Sequence, residues 1–331
     1  MVARPTIMEP NFDSVLHPAQ PGESAQLEIR LKVALLPRDP SKPGNPASPH
    51  HHIHLADNMS QIRRGRVADT SGLAYACRSW LAPEFNAYSI KFKRMVELSW
   101  NNQLVLLPPD GSQPGDSMMT DAEYLEFVSN PKFAAHLRCS IKIQLVPVGT
   151  TKTHAVIEVV KLEKPARQQY PAVDGFRSNV VLITDEDVDF APTKRSLVQV
   201  AAAHEVGHWL GRPVPLFRGG SVNEDRLVHH IDREACLADP DYAPGGDCEY
   251  GRTLGKQMGL LGVGQLVTEY EARPWLSRAR RHTKALFGWG FIHRVQFNNN
   301  VVPVSARQQR LMGTQAATPR TQPGQGQPAR P

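Results

Sequence analysis

Two histidines and a glutamate have the spacing of a zinc site built on one helix. His204, Glu205 and His208 form the pattern His-Glu-x-x-His, and Gly211 follows three residues later. Histidines four residues apart project from one face of a helix, so their imidazoles can occupy two corners of a zinc tetrahedron. Glu205 can then reach a zinc-bound water and take its proton as that water attacks a carbonyl. This spacing predicts hydrolysis of an amide, most often a peptide bond.

A third protein ligand must come from residues beyond Gly211, because a catalytic zinc usually has three protein ligands and a water. We prefer His230, since a neutral imidazole is a good zinc ligand and this one stands near Asp232 in the run HHID. His229 is almost equivalent. Glu224 is the rival, because its NED run resembles zinc proteases whose third ligand is a glutamate on a following helix. Asp232 is a third choice.

The run HEVGHWLG resembles the start of the metzincin signature, in which a third histidine would fall at the position of Val214. Met258 lies in a Gly-rich segment that resembles the methionine-containing turn below the zinc in that class. The run at 177–184, RSNVVLIT, resembles the edge strand that aligns the substrate. The resemblance covers roughly Ser89 to Trp289. It implies a zinc-dependent endopeptidase, a protein or peptide substrate, and a third ligand displaced to His230.

The resemblance and the hydrophobic periodicities together predict an α+β, zincin-like fold. We expect a mixed β-sheet with an antiparallel edge strand, a long active-site helix, and a smaller C-terminal subdomain after Gly211. Alternation predicts strands at QLEIRLKVALL, SIKFKRMVELSW, QLVLLPP, SIKIQLVPV and HAVIEVVKL. Helical periodicity predicts one helix over TKRSLVQVAAAHEVGHWLG, with Thr193 as its N-cap.

Composition along the chain, together with the resemblance, predicts four regions. Residues 1–26 are expected to be a flexible leader, and 27–110 a strand-rich region packed on the catalytic domain. Residues 111–300 are expected to be that metzincin-like domain. Residues 301–331 are rich in Pro and Gln and predict a disordered tail.

The charge and hydropathy of the chain narrow the partners that we expect. The 331 residues carry a formal charge of +6, but the basic residues are scattered, so we expect no nucleic-acid partner. No apolar run approaches the roughly 20 residues of a membrane span. The first residues lack the apolar core of a signal peptide, which predicts a chain made in the cytoplasm, with export only by a signal-independent route. The oligomeric state is not specified.

Two other segments could suggest metal binding, and a function other than proteolysis is also open. The histidine-rich run at 50–54 is expected to be a loop with at most adventitious metal affinity. The acidic run at 185–189, DEDVD, is expected to be a solvated turn ahead of a helix. The alternative function is a catalytically inactive binding or structural protein with a zincin fold, for which Val214 at the expected ligand position is the best support.

Overall fold

The computed structural model describes residues 6–8, 11–19, 25–39, 62–63, 65–69, 71–101, 103–107, 137–173, 175–176, 178, 182–193, 197–210, 214–215, 221–222, 259–262, 264–267, 269–283 and 290–293. The strands are β1 (Thr6–Ile7), β2 (Asp13–His17), β3 (Ala25–Pro37), β4 (Ile62–Arg63), β5 (Arg66–Ala68), β6 (Ala74–Arg78), β7 (Leu104–Leu107), β8 (Leu137–Leu145), β9 (Ala155–Leu162), β10 (Leu182–Thr184), β11 (Phe190–Pro192), β12 (Val198–Val200), β13 (Val214–Pro215), β14 (Ser221–Val222) and β15 (Gly290–His293). The helices are α1 (Ala82–Trp100), α2 (Ala166–Gln169), α3 (Ala201–Leu210) and α4 (Glu269–Thr283).

Strand β3 is the centre of a mixed, curled sheet. It pairs in parallel with β8 along one edge, and with β9 and the antiparallel β2 along the other. Its alternate residues, Leu27 to Leu35, are buried, which confirms the predicted alternation. Strands β7 and β15 extend one end of the sheet, and β6, β5 and β4 extend the other. The fold is therefore α+β.

Helix α1 corrects the strand predicted for SIKFKRMVELSW. Tyr88, Phe92 and Val96 are buried at four-residue intervals, whereas Ile90 is 59% exposed. This is the pattern of one helical face, so the apparent alternation in the sequence was misleading. Glu97 and Asn101 accept hydrogen bonds from backbone N–H groups of β8, at 2.9 and 2.7 Å. The helix thus covers the part of the β8 edge that continues beyond its pairing with β7 at Leu137 and Arg138.

The helix that carries His204 is shorter than predicted at its N-terminal end. Val198–Val200 forms strand β12, which pairs with Phe190–Pro192 in an antiparallel hairpin, and α3 begins only at Ala201. The β-branched side chains of Val198 and Val200 suit this strand better than a helix. The last described residue of the helix is Leu210, and Gly211 lies outside the described residues.

The sheet combines parts of the chain that the sequence assigned to different regions. Within the predicted leader, β2 pairs with β3, and Phe12 is buried in the main core. Strand β3 belongs to region 27–110, while β8 and β9 belong to region 111–300. These regions therefore build one sheet. Residues 301–331 and the histidine run at 50–54 lie outside the described residues.

Strand β10 differs from the expected antiparallel edge strand. Leu182–Thr184 pairs with β9 in parallel, in the register Leu182 with Glu158. It covers only the last part of the segment 177–184, because residues 177 and 179–181 lie outside the described residues. In the described part of the chain, no helix is long and apolar enough to cross a membrane.

Candidate metal centre

Helix α3 places the two predicted zinc-binding histidines side by side. The Nε2 atoms of His204 and His208 are 3.1 Å apart, and their rings meet edge to face with centroids 4.8 Å apart. Both side chains are almost completely buried, with 6% and 8% of their surface exposed. The spacing of four residues along the helix therefore converges two imidazole nitrogens on one point, as the sequence predicts.

A backbone carbonyl determines which nitrogen of His204 carries the proton. The Nδ1 atom lies 2.9 Å from the carbonyl oxygen of Leu260. A carbonyl oxygen only accepts hydrogen bonds, so Nδ1 must be the donor. In the neutral imidazole Nε2 is then the unprotonated nitrogen, and its lone pair faces Nε2 of His208. This carbonyl–imidazole contact is the arrangement that orients metal-binding histidines in proteins.

The two nitrogens fit a single zinc ion. Zinc–imidazole bonds of roughly 2.0–2.1 Å at a tetrahedral angle place two nitrogens about 3.3 Å apart. The 3.1 Å between the Nε2 atoms of His204 and His208 is close to this value. Within the described residues, no group of three metal-ligating side chains is present. His230, His229, Glu224 and Asp232, the candidates for the third ligand, all lie outside those residues.

Glu205 is buried beside the two histidines on the same helix. Only 8% of its surface is exposed. Burial, and to a smaller extent the negative charge of Asp187, raises the pKa of its carboxyl group to about 8. A nearby cation would oppose both effects, because an opposite charge favours the ionised carboxylate. The group can therefore hold or release a proton near neutral pH.

The acidic run at 185–189 anchors the beginning of helix α3. The Asp187 carbonyl accepts a 2.9 Å hydrogen bond from the backbone N–H of Ala202. Its carboxylate accepts bonds from the backbone and hydroxyl of Thr184, at 2.6 and 3.0 Å, and from the hydroxyl of Ser178. Burial raises the pKa of Asp187 to about 6, and these hydrogen bonds oppose the rise. The expectation of a solvated turn is therefore wrong for Asp187, which is 8% exposed.

A glycine-rich turn, residues 259–267, packs against the histidine-bearing face of α3. Leu260 N–H donates to the carbonyl of Leu266 at 2.7 Å, and Gly262 N–H donates to that of Gly259 at 2.9 Å. The turn directly follows Met258, which lies outside the described residues. The predicted role of Met258 below the zinc therefore stays a prediction. The segment that follows it does supply the carbonyl that orients His204.

Gly207 permits this close packing. A Cβ atom at this position would lie 2.5 Å from Cδ2 of Leu261 and 2.9 Å from Cζ2 of Trp100. The indole N–H of Trp100 also donates to the carbonyl of Ala203 at 3.1 Å. The small residue between the two histidines therefore lets helix α1 and the glycine-rich turn both reach the zinc-site helix.

Helix α4 supports the glycine-rich turn from its other side. Glu271 is 1% exposed, and its carboxylate accepts a 3.0 Å hydrogen bond from the backbone N–H of Leu261. Trp275 is fully buried, and its ring centroid lies 5.6 Å from that of Trp100. The C-terminal helix thus connects the turn to the main core.

Val214, at the position of the missing histidine, belongs to a short hairpin. It pairs with Val222, and Pro215 pairs with Ser221. The described chain after α3 therefore turns into strands β13 and β14. This arrangement is compatible with a third ligand that is displaced to a position beyond Val214.

Sequence reasoning identified His204, Glu205 and His208, and α3 brings all three together. It did not identify Gln199, Gly207, Leu260 or Asp187 as parts of the site, because their contacts join segments that are distant in sequence. A polar residue between two valines in VQV was the only local signal for Gln199. Comparisons with protein-family models, curated proteins and solved structures find no match to this chain.

Proposed function

We propose that the protein is a zinc-dependent metallopeptidase that hydrolyses peptide bonds in protein or peptide substrates. The observation that carries the proposal is the convergence of two buried imidazole Nε2 atoms, 3.1 Å apart, beside a buried glutamate on one helix. The hydrogen bond from His204 Nδ1 to the Leu260 carbonyl supports it, because it places the lone pair of the neutral imidazole on Nε2, the atom that would bind the metal.

In this proposal His204 and His208 hold the zinc through Nε2, and His230 is the third ligand. When bound, zinc would polarise the substrate carbonyl and make water more acidic. Glu205 is the general base, and its carboxylate accepts a proton from water and returns it to the leaving amine. Burial of Glu205 excludes bulk water, which strengthens the electrostatic interactions available for this proton transfer.

The identity of the third ligand separates two protease classes. His230, or its neighbour His229, corresponds to a metzincin-like site with a displaced histidine, and Asp232 would be a carboxylate variant of it. Glu224 instead corresponds to a gluzincin-like site. The finer zincin fold belongs to the same proposal, without the antiparallel edge strand, because β10 pairs with β9 in parallel. The parallel pairing of β3 with β8 and β9, and of β9 with β10, is compatible with it.

The second candidate function is a binding or structural protein that has the fold without catalysis. The pairing of Val214 with Val222 favours it, because the residue expected to bind zinc is an apolar member of a hairpin. Metal content distinguishes the two candidates. A purified protein that folds and takes up no zinc would support the binding protein.

Peptidase activity tests the catalytic proposal. The wild-type protein, incubated with zinc and an unstructured protein such as casein, is expected to produce new peptide termini. Glu205→Gln should lower the rate by about 10²–10⁴-fold while it keeps zinc, because only the general base is removed. Glu163→Gln is the matched control, since Glu163 is exposed and far from α3 in sequence. A fully active Glu205→Gln protein would rule out the proposed mechanism.

A further inference from the structure

One glutamine side chain connects strand β12 to the glycine-rich turn. Gln199 is the middle residue of β12, two residues before Ala201 begins helix α3. Its Nε2 atom donates to the carbonyl of Leu260 at 2.9 Å, and the carbonyls of Gly262 and Gly264 lie at 3.1 and 3.2 Å. An amide nitrogen has two N–H donors, so both are used within this group of three acceptors.

The carbonyl of Leu260 receives two donors at once. It accepts from Gln199 Nε2 at 2.9 Å and from His204 Nδ1, also at 2.9 Å. A carbonyl oxygen has two lone pairs, so both bonds can form together. The two donor nitrogens lie 3.3 Å from each other. The two nitrogens are close because both donate to the same oxygen, and His204 Nδ1 does not accept a bond from Gln199.

Bonds from two different elements hold the peptide group that joins Leu260 and Leu261. Within the described residues, Leu261 N–H is held by Glu271 of α4, and the side chain of Leu261 packs on Gly207. The Leu260 carbonyl and the Leu261 N–H belong to one planar peptide group, so the Glu271 bond fixes that group relative to α4. Gln199 fixes the carbonyl relative to the segment that carries His204, because it binds the same oxygen and belongs to that continuous segment.

We propose that Gln199 is a positioning residue of the metal centre, an inference that rests on the proposed zinc site. Its amide holds the Leu260 carbonyl in place, so that His204 Nδ1 stays protonated and Nε2 stays available for the metal. Gln199 does not touch the metal and acts through His204. Loss of a residue that orients a metal ligand typically lowers metal affinity by about 10–100-fold.

The test compares Gln199→Met with Gln169→Met. Methionine has a similar length and volume without the amide donors. Gln169 is the matched control, because its amide also bridges backbone groups, at Ala76 and Lys164, in another part of the fold. Zinc affinity is measured by competition with a chelator at a temperature where every variant is folded. We expect affinity to fall about 10–100-fold in Gln199→Met and to stay at the wild-type value in Gln169→Met.

Cobalt substitution gives a readout that a merely structural role would not change. The visible absorption bands of bound Co²⁺ report ligand geometry, so we expect them to shift in Gln199→Met and to be unchanged in Gln169→Met. Unchanged zinc affinity and unchanged bands in Gln199→Met would overturn the proposed role of Gln199. Failure of the wild-type protein to bind zinc or cobalt would instead overturn the proposed function, so the two failures are distinguishable.

A measurement on the wild-type protein covers the case in which Gln199→Met does not fold. Both side-chain amide protons of Gln199 face carbonyl oxygens, so their hydrogen exchange should be at least about tenfold slower than that of Gln168, whose side chain is exposed. Equal exchange rates for Gln199 and Gln168 would contradict the hydrogen bonds on which the role depends.

Discussion

His204 donates a hydrogen bond from Nδ1 to the carbonyl of Leu260, 56 residues further along the chain and 2.9 Å away in space. This contact joins the zinc-site helix to the glycine-rich turn, residues 259–267, and fixes the tautomer of His204. It also makes the geometry of the proposed metal site depend on a segment that contains no metal ligand among the described residues.

Zinc should stabilise the folded protein through His204 and His208. A ligand that binds only the folded state at 100 times its Kd adds about 2.7 kcal/mol to the free energy of unfolding. We therefore expect Tm to rise by several degrees in zinc for the wild-type protein. His204→Ala and His208→Ala should lose this rise. His17→Ala, whose side chain is 44% exposed, is the control and should keep it; an equal rise in all four proteins would count against the site.

The third ligand can be identified by single substitutions. His230→Ala should abolish high-affinity zinc binding, because two imidazoles alone leave the proposed site without its third protein ligand. His229→Ala and Asp232→Ala should retain binding, as measured by zinc content after dialysis. If Glu224→Ala abolishes binding while both histidine variants keep it, the gluzincin-like alternative is correct.

Gly207→Ala should destabilise the fold although alanine favours helices. The added Cβ would meet Leu261 and Trp100 at 2.5 and 2.9 Å, and overpacking of this kind costs about 1–3 kcal/mol. Combining it with Leu261→Ala should recover part of that cost, because the nearest atom is then removed. Chemical denaturation of the two single variants and the double variant measures the coupling. Strictly additive costs would show that Gly207 and Leu261 do not interact.

Asp187 should make the stability of the protein depend on pH. Burial raises its pKa from the ordinary 3.8 to about 6, so the folded state binds this proton more tightly than the unfolded state. The contribution is complete below pH 3.8 and is lost as pH rises through 6, by an amount on the order of 3 kcal/mol. In Asp187→Asn this loss should be absent.

Denaturant unfolding of the zinc-free protein at pH 4 and pH 7 measures that difference. From pH 4 to pH 7, we expect the free energy of unfolding to fall more in the wild-type protein than in Asp187→Asn. Asp189→Asn is the control, because its side chain is 58% exposed and ion-paired with Lys91 on the surface. A wild-type protein whose stability rises over this range relative to Asp187→Asn would contradict the raised pKa.

The sequence predicted those parts of the fold in which local periodicity and burial agree. In β3 every second residue from Leu27 to Leu35 enters the core, and alternation alone locates the strand. In α1 the short run from Ser89 is compatible with both the strand period of two residues and the helical period. The burial of Tyr88, Phe92 and Val96 in the core shows that it is a helix. Strand β12 was misassigned because its hairpin partner, β11, overrides the helical pattern.

The site was predictable only where its residues share one helix. The spacing of His204, Glu205 and His208 encodes their geometry directly. The contact of Gln199 with Leu260 spans 61 residues, and no local pattern connects segments at that separation. The same applies to Gly207, whose importance depends on the side chains that pack over it.

The most direct test of the proposed metal centre is a crystal structure determined from crystals grown with zinc. Anomalous diffraction data collected at the zinc absorption edge would locate the metal. We expect one strong anomalous peak per chain, about 2.0–2.1 Å from Nε2 of both His204 and His208, with the third ligand visible at the same peak. Absence of a peak between these two nitrogens, or a peak only at the histidine run at 50–54, would contradict the proposal.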